Sequence, residues 1–405
     1  MPIDEVKFDN WTKGINNLAN ASRLPEGFAR DMLNFYPAGG KLALRPGVSS
    51  VYSGVNVRGV FSVNGILVCV DGIDFKAIET GTVYAQVPPN GAVCGTVMND
   101  ELYLCVGGFR ARFSVQQGVR SWGVTMPPHN GVSSGIDPGR TTEHLRRGTR
   151  LRRYTVTFVD QDGLESGARP GARLGAAVTP PQPPANHRVR IYATEPDGSL
   201  YYLQGEYSSA FSVSLGETNP RGQELRTMFM DAPPRADLLS NINGCLVIAS
   251  GNFVYHTLPM QPHLVDLEEG VFMYPAPVTS MCGGSSGLYL SADKCYKLEG
   301  IGTDQIQQST VLKYPAVSGT MRTMPDGSAA WATQYGAAFE VPTDRGGTAV
   351  AEPTKQTFVP GKSDKGTSGS VEHNGERLFV TSVRPDVDKS PLAAAGFFEA
   401  EVVRP

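Results

Sequence analysis

Six arginines crowd into 14 residues of this chain: Arg140, Arg146, Arg147, Arg150, Arg152 and Arg153. A guanidinium run of that density either stands solvated on a hairpin or linker, or docks onto an acidic partner or a neighbouring copy of the chain. DNA backbone is a poorer match, since no aromatic residues interleave the arginines to stack bases. The run is therefore the candidate assembly interface. The histidines offer less. His129, His144, His187, His256, His263 and His373 are scattered, and only His256 and His263 come close, seven apart across a proline-containing loop. A metal needs three or four oriented ligands, and no carboxylate or cysteine completes such a set. The histidines read as surface or loop residues, with no metal or other cofactor expected.

Nucleophiles fare no better. Gly283-Gly-Ser-Ser-Gly287 has the outline of a nucleophile elbow, but that elbow joins a strand to a helix. Here a strand follows directly, so a hairpin turn accounts for the same residues. No Ser-x-Asp-x-Gly-x-x-Trp box of the sialidase kind occurs, and no Gly-x-x-x-x-Gly-Lys phosphate loop. The expectation is no catalytic residue and no reaction. Cys69, Cys94, Cys105, Cys245, Cys282 and Cys295 mostly replace a valine or leucine within predicted strands, and no Cys-x-x-Cys pair exists. They read as small buried thiols of a protein made in a reducing cytoplasm.

The elements that would position these residues are short strands. Six times a turn-forming pair splits a short apolar run: Asn64-Gly65, Asn99-Asp100, Asn243-Gly244, Ser286-Gly287, Asp326-Gly327 and Asn374-Gly375. Asn-Gly and Asp-Gly suit two-residue hairpins, whose central positions need positive φ. A degenerate hairpin recurring about every 35 to 48 residues is the sequence signature of a β-propeller. About six blades are expected. Glycine at 46, proline at 30 and only 19% charged residues fit many short strands joined by tight turns.

The spacing breaks once. From Asn99 to Asn243 is 144 residues, about 100 more than one repeat. Within that stretch Tyr154-Thr-Val-Thr-Phe-Val-Asp160, Val189-Arg-Ile-Tyr192, Ser199-Leu-Tyr-Tyr-Leu203 and Phe211-Ser-Val-Ser-Leu215 are strand-like segments separated by turns, the pattern of a small β-sandwich. Pro180-Pro-Gln-Pro-Pro184 is a connector, and Asp231-Ala-Pro-Pro234 a stiff hinge back to the propeller. The expected organisation is an N-terminal segment over 1–50, the first part of the propeller over 51–140, an inserted sandwich over 150–230, and the rest of the propeller over 235–405. A short helix is expected within 24–34, and residues 41–52 are expected to pair with 396–403 and close the propeller. A net charge of −3 gives no general attraction to nucleic acid or anionic membrane. No apolar run approaches a bilayer span, and the first residues lack a signal-peptide core.

Several stretches resemble one family. Trp11-x-x-Gly14-Ile15, Leu24-Pro25-Glu-Gly27, Arg30, Asn34, Gly40-Lys-Leu42 and Arg45-Pro-Gly47 are similar to the N-termini of bacteriophage virion proteins. Asn252-Phe-Val-Tyr255 through Pro259-Met-Gln-Pro262-His263, Tyr289 through Tyr296 to Gly300, and Ala329 to Phe339 resemble tail nozzle proteins of short-tailed phages. The Tyr154-to-Ser166 segment is similar to the fibronectin-III-like domain that interrupts their propellers. The resemblance implies an all-β propeller carrying such a sandwich, and a non-enzymatic virion protein assembled in the host cytoplasm. It implies a hexameric ring below portal and adaptor, continuing the DNA channel, retaining the packaged genome and guiding its ejection. The implied partners are further copies of the chain, the portal-adaptor protein and tail fibres or spikes. Packaged DNA would pass through without sequence-specific binding. The competing readings are a tail-exterior receptor-binding or fibre-attachment protein and a glycan-active propeller enzyme.

Overall fold

The computed structural model describes residues 13–32, 35–38, 41–44, 50–128, 133–135, 152–170, 173–174, 177–195, 198–209, 213–214, 222–344, 346–358, 363–373, 376–384 and 400–403. The fold is all-β, and its principal sheets are propeller blades. Among the described residues the helical content is a single 3-10 turn, Ala21–Arg23, capped by the Asn20 side chain. A short helix expected within 24–34 is absent from its described part, where Phe28–Ala29 is a strand paired in parallel with Gly14–Ile15. No helix of the described residues is long and apolar enough to cross a membrane.

The chain divides into two compact units, Val57–Met273 and Met1–Asn56 with Tyr274–Pro405. The first unit holds three blades and the insert. Blade I runs Val57–Val63, Ile66–Asp71, Asp74–Ala77 and Val83–Gln86 as a four-stranded antiparallel meander. Blade II repeats it with Val93–Met98, Glu101–Val106, Phe109–Ser114 and Gly118–Ser121. Blade III has Leu238–Ile242, Cys245–Ser250 and Phe253–Leu258; its outer position is shared by Gln261–Asp266 and Val271–Met273, which pair with opposite ends of the third strand. The second unit holds blade IV (Ser280–Gly283, Leu288–Ser291, Cys295–Glu299, Gln307–Leu312) and blade V (Arg322–Thr323, Ala329–Thr333, Gly336–Pro342, Thr348–Ala351). Blade VI pairs Lys365–His373, Glu376–Arg384 and Ala400–Val403.

Each expected hairpin is the first strand pair of one blade. The described two-residue turns have the required geometry: φ is +48° and +79° at Asn64 and Gly65, +51° and +62° at Asn99 and Asp100, and +51° and +72° at Asn243 and Gly244. The strands after these turns read as unbroken apolar runs because both faces are buried. In Glu101–Val106, Leu102, Leu104 and Val106 pack against Val68, Val70 and Phe75 of blade I. Alternate residues Tyr103 and Cys105 pack against Leu246, Ile248 and Val265 of blade III. The same wedge recurs in the second unit. Ala329, Trp331 and Ala338 join Cys282 and Tyr289 of blade IV, while Ala330, Ala337 and Phe339 join Phe379 of blade VI. Alanines let neighbouring blades approach closely around the bulky Trp331.

The expected closure between 41–52 and 396–403 is not the pairing observed. Lys41–Leu44 pairs with Phe35–Ala38 as a separate hairpin, and Ala400–Val403 pairs with Glu376–Arg384. Each of these short strands has a partner close in the chain or in its own blade, which meets its backbone hydrogen bonds at less loop-closure cost. The insert consists of a four-stranded sheet (Arg173–Leu174, Arg152–Val159, Arg188–Thr194, Tyr201–Tyr207) and a three-stranded one (Ser133–Gly135, Ala177–Thr179, Val213–Ser214). Four strands and three is the complement of a small sandwich. Its core is Tyr154, Val156 and Phe158 against Val189, Ile191 and Ala193.

Candidate functional site

Of the arginine run, Arg140, Arg146, Arg147 and Arg150 lie outside the described residues. Arg152 and Arg153 open the insert strand Arg152–Val159, opposite Leu174 and Arg173. Arg153 is exposed, and its backbone N–H donates to Thr194 Oγ1 at 3.1 Å. The structure brings a different set of charges together, where blade II meets the insert.

On the third and fourth strands of blade II, Arg112 and Arg120 are directly opposite each other, an arrangement that two like charges resist. Three carboxylates resolve it. Glu101, from the second strand, contacts Arg120 and stands 3.8 Å from Arg112. Asp162 comes from the insert turn Gln161-Asp162-Gly163; it contacts Arg112 directly and Arg120 at 3.2 Å. Asp160, where the insert strand ends, lies 3.9 Å from Arg112. The turn that presents both aspartates is rigid: Asp160 Oδ1 accepts from the N–H groups of Asp162 and Leu164 at 2.9 and 2.8 Å, and Gly163 takes φ +82°. Tyr103 completes the set, donating to Glu101 at 3.0 Å; burial and the Glu101 charge push its phenol well above the ordinary tyrosine value. All five charged groups lean on one another, so the cluster works as an ionic clamp fixing the insert to its blade. Part-buried pairs of this kind add little net stability but penalise other arrangements.

The return path is fastened as well. The expected hinge at Asp231-Ala-Pro-Pro234 is a strap: Met230 and Asp231 pair with Asp266 and Val265 at the edge of blade III, and Arg110 donates to the Pro233 carbonyl. Just upstream, Phe229 adopts φ +63°, rare for a bulky residue, while its N–H donates to Ala168 at 2.8 Å. Gly167 permits that crossing, since a Cβ there would lie 1.7 Å from the Met230 carbonyl oxygen. Met126, Pro170, Phe229 and Leu267 line a shallow apolar depression beside the strap, edged by Arg169 and Glu268.

His256 and His263 are buried, contrary to the expectation of surface positions. They lie on neighbouring strands of blade III, where a histidine ring serves as packing volume. Burial lowers the His263 pKa to about 4, with Asp160 and Glu165 opposing the shift and Arg112 adding to it. His187 is half-buried, His129 and His144 lie outside the described residues, and of His373 only the backbone is described.

Gly283-Gly-Ser-Ser-Gly287 is a turn between Ser280–Gly283 and Leu288–Ser291, as the strand that follows it implies. Its partner is Glu340 of blade V, invisible as a partner in the sequence. The Glu340 carboxylate accepts from the N–H groups of Ser285 (2.8 Å), Ser286 (3.2 Å) and Ala329 (3.1 Å) and from Ser286 Oγ (2.6 Å). Burial pushes its pKa up, but those hydrogen bonds from Ser286, Ser285 and Ala329 outweigh it and leave the group below the ordinary carboxylate value. With its acceptor capacity taken up by the turn, Glu340 ties two blades and is not free to act as a base. Among the described residues no group of three His, Cys, Asp or Glu side chains is placed to hold a metal.

In the sequence the arginine run is conspicuous because it is contiguous. Glu101, Arg112, Arg120, Asp160 and Asp162 are inconspicuous there because strand and turn separate them. Their signal was charge at inward positions of apolar strands, as in Arg110-Ala-Arg112-Phe113.

No protein-family model matches the chain, and no curated protein matches it. Similar solved structures include a catalytically inactive virginiamycin B lyase from Staphylococcus aureus with quinupristin, 10% identical, TM-score 0.31, covering 81% of this chain and 92% of that one. Another is BBS1N in complex with ARL6DN, 10% identical, TM-score 0.30, covering 83% of this chain and 90% of that one. Both are β-propeller proteins, the fold class that the strand order of this chain itself displays.

Proposed function

We propose that this chain is a structural subunit of a short-tailed bacteriophage tail, a nozzle or tail-tube ring that continues the DNA channel, and that it catalyses no reaction. The observation that carries the reading is the ionic clamp. Arg112 and Arg120 of blade II hold Asp160 and Asp162 of the insert, so that this blade and the sandwich transmit force together. A ring that retains pressurised DNA needs rigid subunits more than open, mobile sites. The stretches that resemble nozzle proteins support it further, because they fall on strand pairs of three successive blades: 253–266, 288–299 and 329–342. In this reading the partners are further copies of the chain, the portal-adaptor protein and tail fibres or spikes. The protein is assembled in the host cytoplasm and resides in the virion tail.

Electron microscopy of the purified chain and of the virion tests this. A six-fold ring on the tail axis is the expected result. Trimers at the tail periphery would indicate a receptor-binding or fibre-attachment protein instead, and measurable glycan hydrolysis would indicate an enzyme.

A further inference from the structure

Two of the six cysteines face each other. Cys94 and Cys105 occupy directly opposed positions on the first two strands of blade II. By contrast Cys69 faces Val60 and Lys76, Cys245 faces Ile242, Cys282 faces Tyr289, and Cys295 faces Ser291 and Leu312. Met98 and Glu101 flank the two-residue turn, so they form a hydrogen-bonded pair, and pairs of that type alternate along the ladder. Cys94 and Cys105 are then of the same type, with Cα atoms about 5.5 Å apart, within the span a disulfide bridges. Side chains of such pairs stand farther apart than those of the alternate pairs, so a bridge between them carries strain and is readily reduced. The site lies in the seam between blades II and III, where Cys94 Sγ donates to the Ala236 carbonyl at 3.5 Å.

We propose that Cys94 and Cys105 are a redox-convertible dithiol, closed by a small peroxide into a cross-strand disulfide that staples the first two strands of blade II. Cys105 is the first to react. The adjacent Cys94 thiol, the Ala236 backbone and the charge of Arg110 hold its pKa below the ordinary thiol value against the effect of burial, whereas the adjacent Cys105 and burial push Cys94 above it. The Cys105 thiolate attacks one oxygen of hydrogen peroxide, the O–O bond breaks, hydroxide leaves and a sulfenic acid forms. The Cys94 sulfur then attacks the Cys105 sulfur, and the displaced hydroxyl leaves with the Cys94 proton as water. The proton first lost from Cys105 converts the hydroxide to a second water. Two thiols are oxidised and one peroxide is reduced. Peroxide is small enough for this seam, where Cys94 retains 8% exposure and Cys105 none.

The test uses the full chain, reduced and then treated with hydrogen peroxide or buffer. After quenching, it is unfolded, alkylated with N-ethylmaleimide, and cut between the two cysteines at Asp100 or Glu101 for mass spectrometry. The expected result is a pair of peptides joined through Cys94 and Cys105, lighter by two hydrogens and separated again by dithiothreitol. The other four cysteines should carry the alkyl group. In Cys94→Ser the bridge should vanish and a sulfenic acid at Cys105 should become trappable by dimedone. Full alkylation of both thiols after peroxide, bridges scattered among all six cysteines, or a bridge formed only when peroxide meets the unfolded chain would overturn the proposal. The wild-type masses decide the matter even if Cys94→Ser fails to fold.

Discussion

At the residue scale, buried ionisable groups set the chain's response to pH. His263 has a folded pKa of about 4, below the unfolded value near 6.5. Between those values the unfolded chain binds the proton and the folded chain does not, so stability falls as pH drops from about 6.5 to about 4. The full effect is roughly 3 kcal/mol at 1.36 kcal/mol per pKa unit. Asp160 and Glu165 act against it and Arg112 with it. His263→Gln should flatten this limb of a melting-temperature profile; an unchanged acid slope would assign the sensitivity elsewhere. Glu340 invites a second test, because it accepts from three backbone N–H groups and one hydroxyl. In Glu340→Gln an amide N–H₂ replaces one acceptor and meets donors head-on, leaving at least one N–H unsatisfied. A loss of about 2 kcal/mol is expected in chemical denaturation.

At the element scale, the insert is fastened at both ends, and each fastening can be cut separately. Arg112→Ala strands the buried Asp160 carboxylate and removes a partner of the half-buried Glu101 and the exposed Asp162, and should cost about 2 kcal/mol. If the clamp couples insert and blade, a double-mutant cycle with Asp162→Asn will show strong non-additivity, while additive losses would mean that each residue serves only its own sheet. Gly167→Ala places a methyl 1.7 Å from the Met230 carbonyl oxygen and should expose the strap at 228–234 to limited proteolysis. How much of this the sequence disclosed follows from range. The blades were legible because Asn64-Gly65, Asn99-Asp100 and Asn243-Gly244 each encode a turn locally through positive φ. The insert was legible from a break in their rhythm. The clamp was not, because Arg112 and Asp162 are 50 residues apart and nothing local marks them as partners. The burial of the histidines of blade III is hidden for the same reason: a proline-containing turn between them suggests a surface loop, whereas strands that pack from elsewhere decide their burial.

At the scale of the whole molecule, the wedge packing separates what holds the blades together from what a ring would need. Trp331 and its alanine neighbours fill the seam between blades IV and V, and Leu102 and Leu104 fill that between blades I and II. These contacts are apolar, so salt should scarcely weaken them. An assembly contact through Arg146, Arg147 and Arg150 would be the opposite: charged, dependent on a neighbour's acidic surface, and screened within about 8 Å at physiological ionic strength. The two layers therefore come apart in one experiment. Reversing the three arginines to glutamate should abolish the ring in sedimentation and electron microscopy while leaving the thermal melt of the chain within a few degrees of the original. If the proposed ring forms through these arginines, raised salt should dissociate it in the same way. Trp331→Ala should do the reverse at first, lowering the melt by a cavity cost of about 3–5 kcal/mol while any ring that forms below it keeps its stoichiometry. If the charge-reversed chain still assembles, the arginine run is a solvated segment and the contacts between copies lie on the blades or the insert.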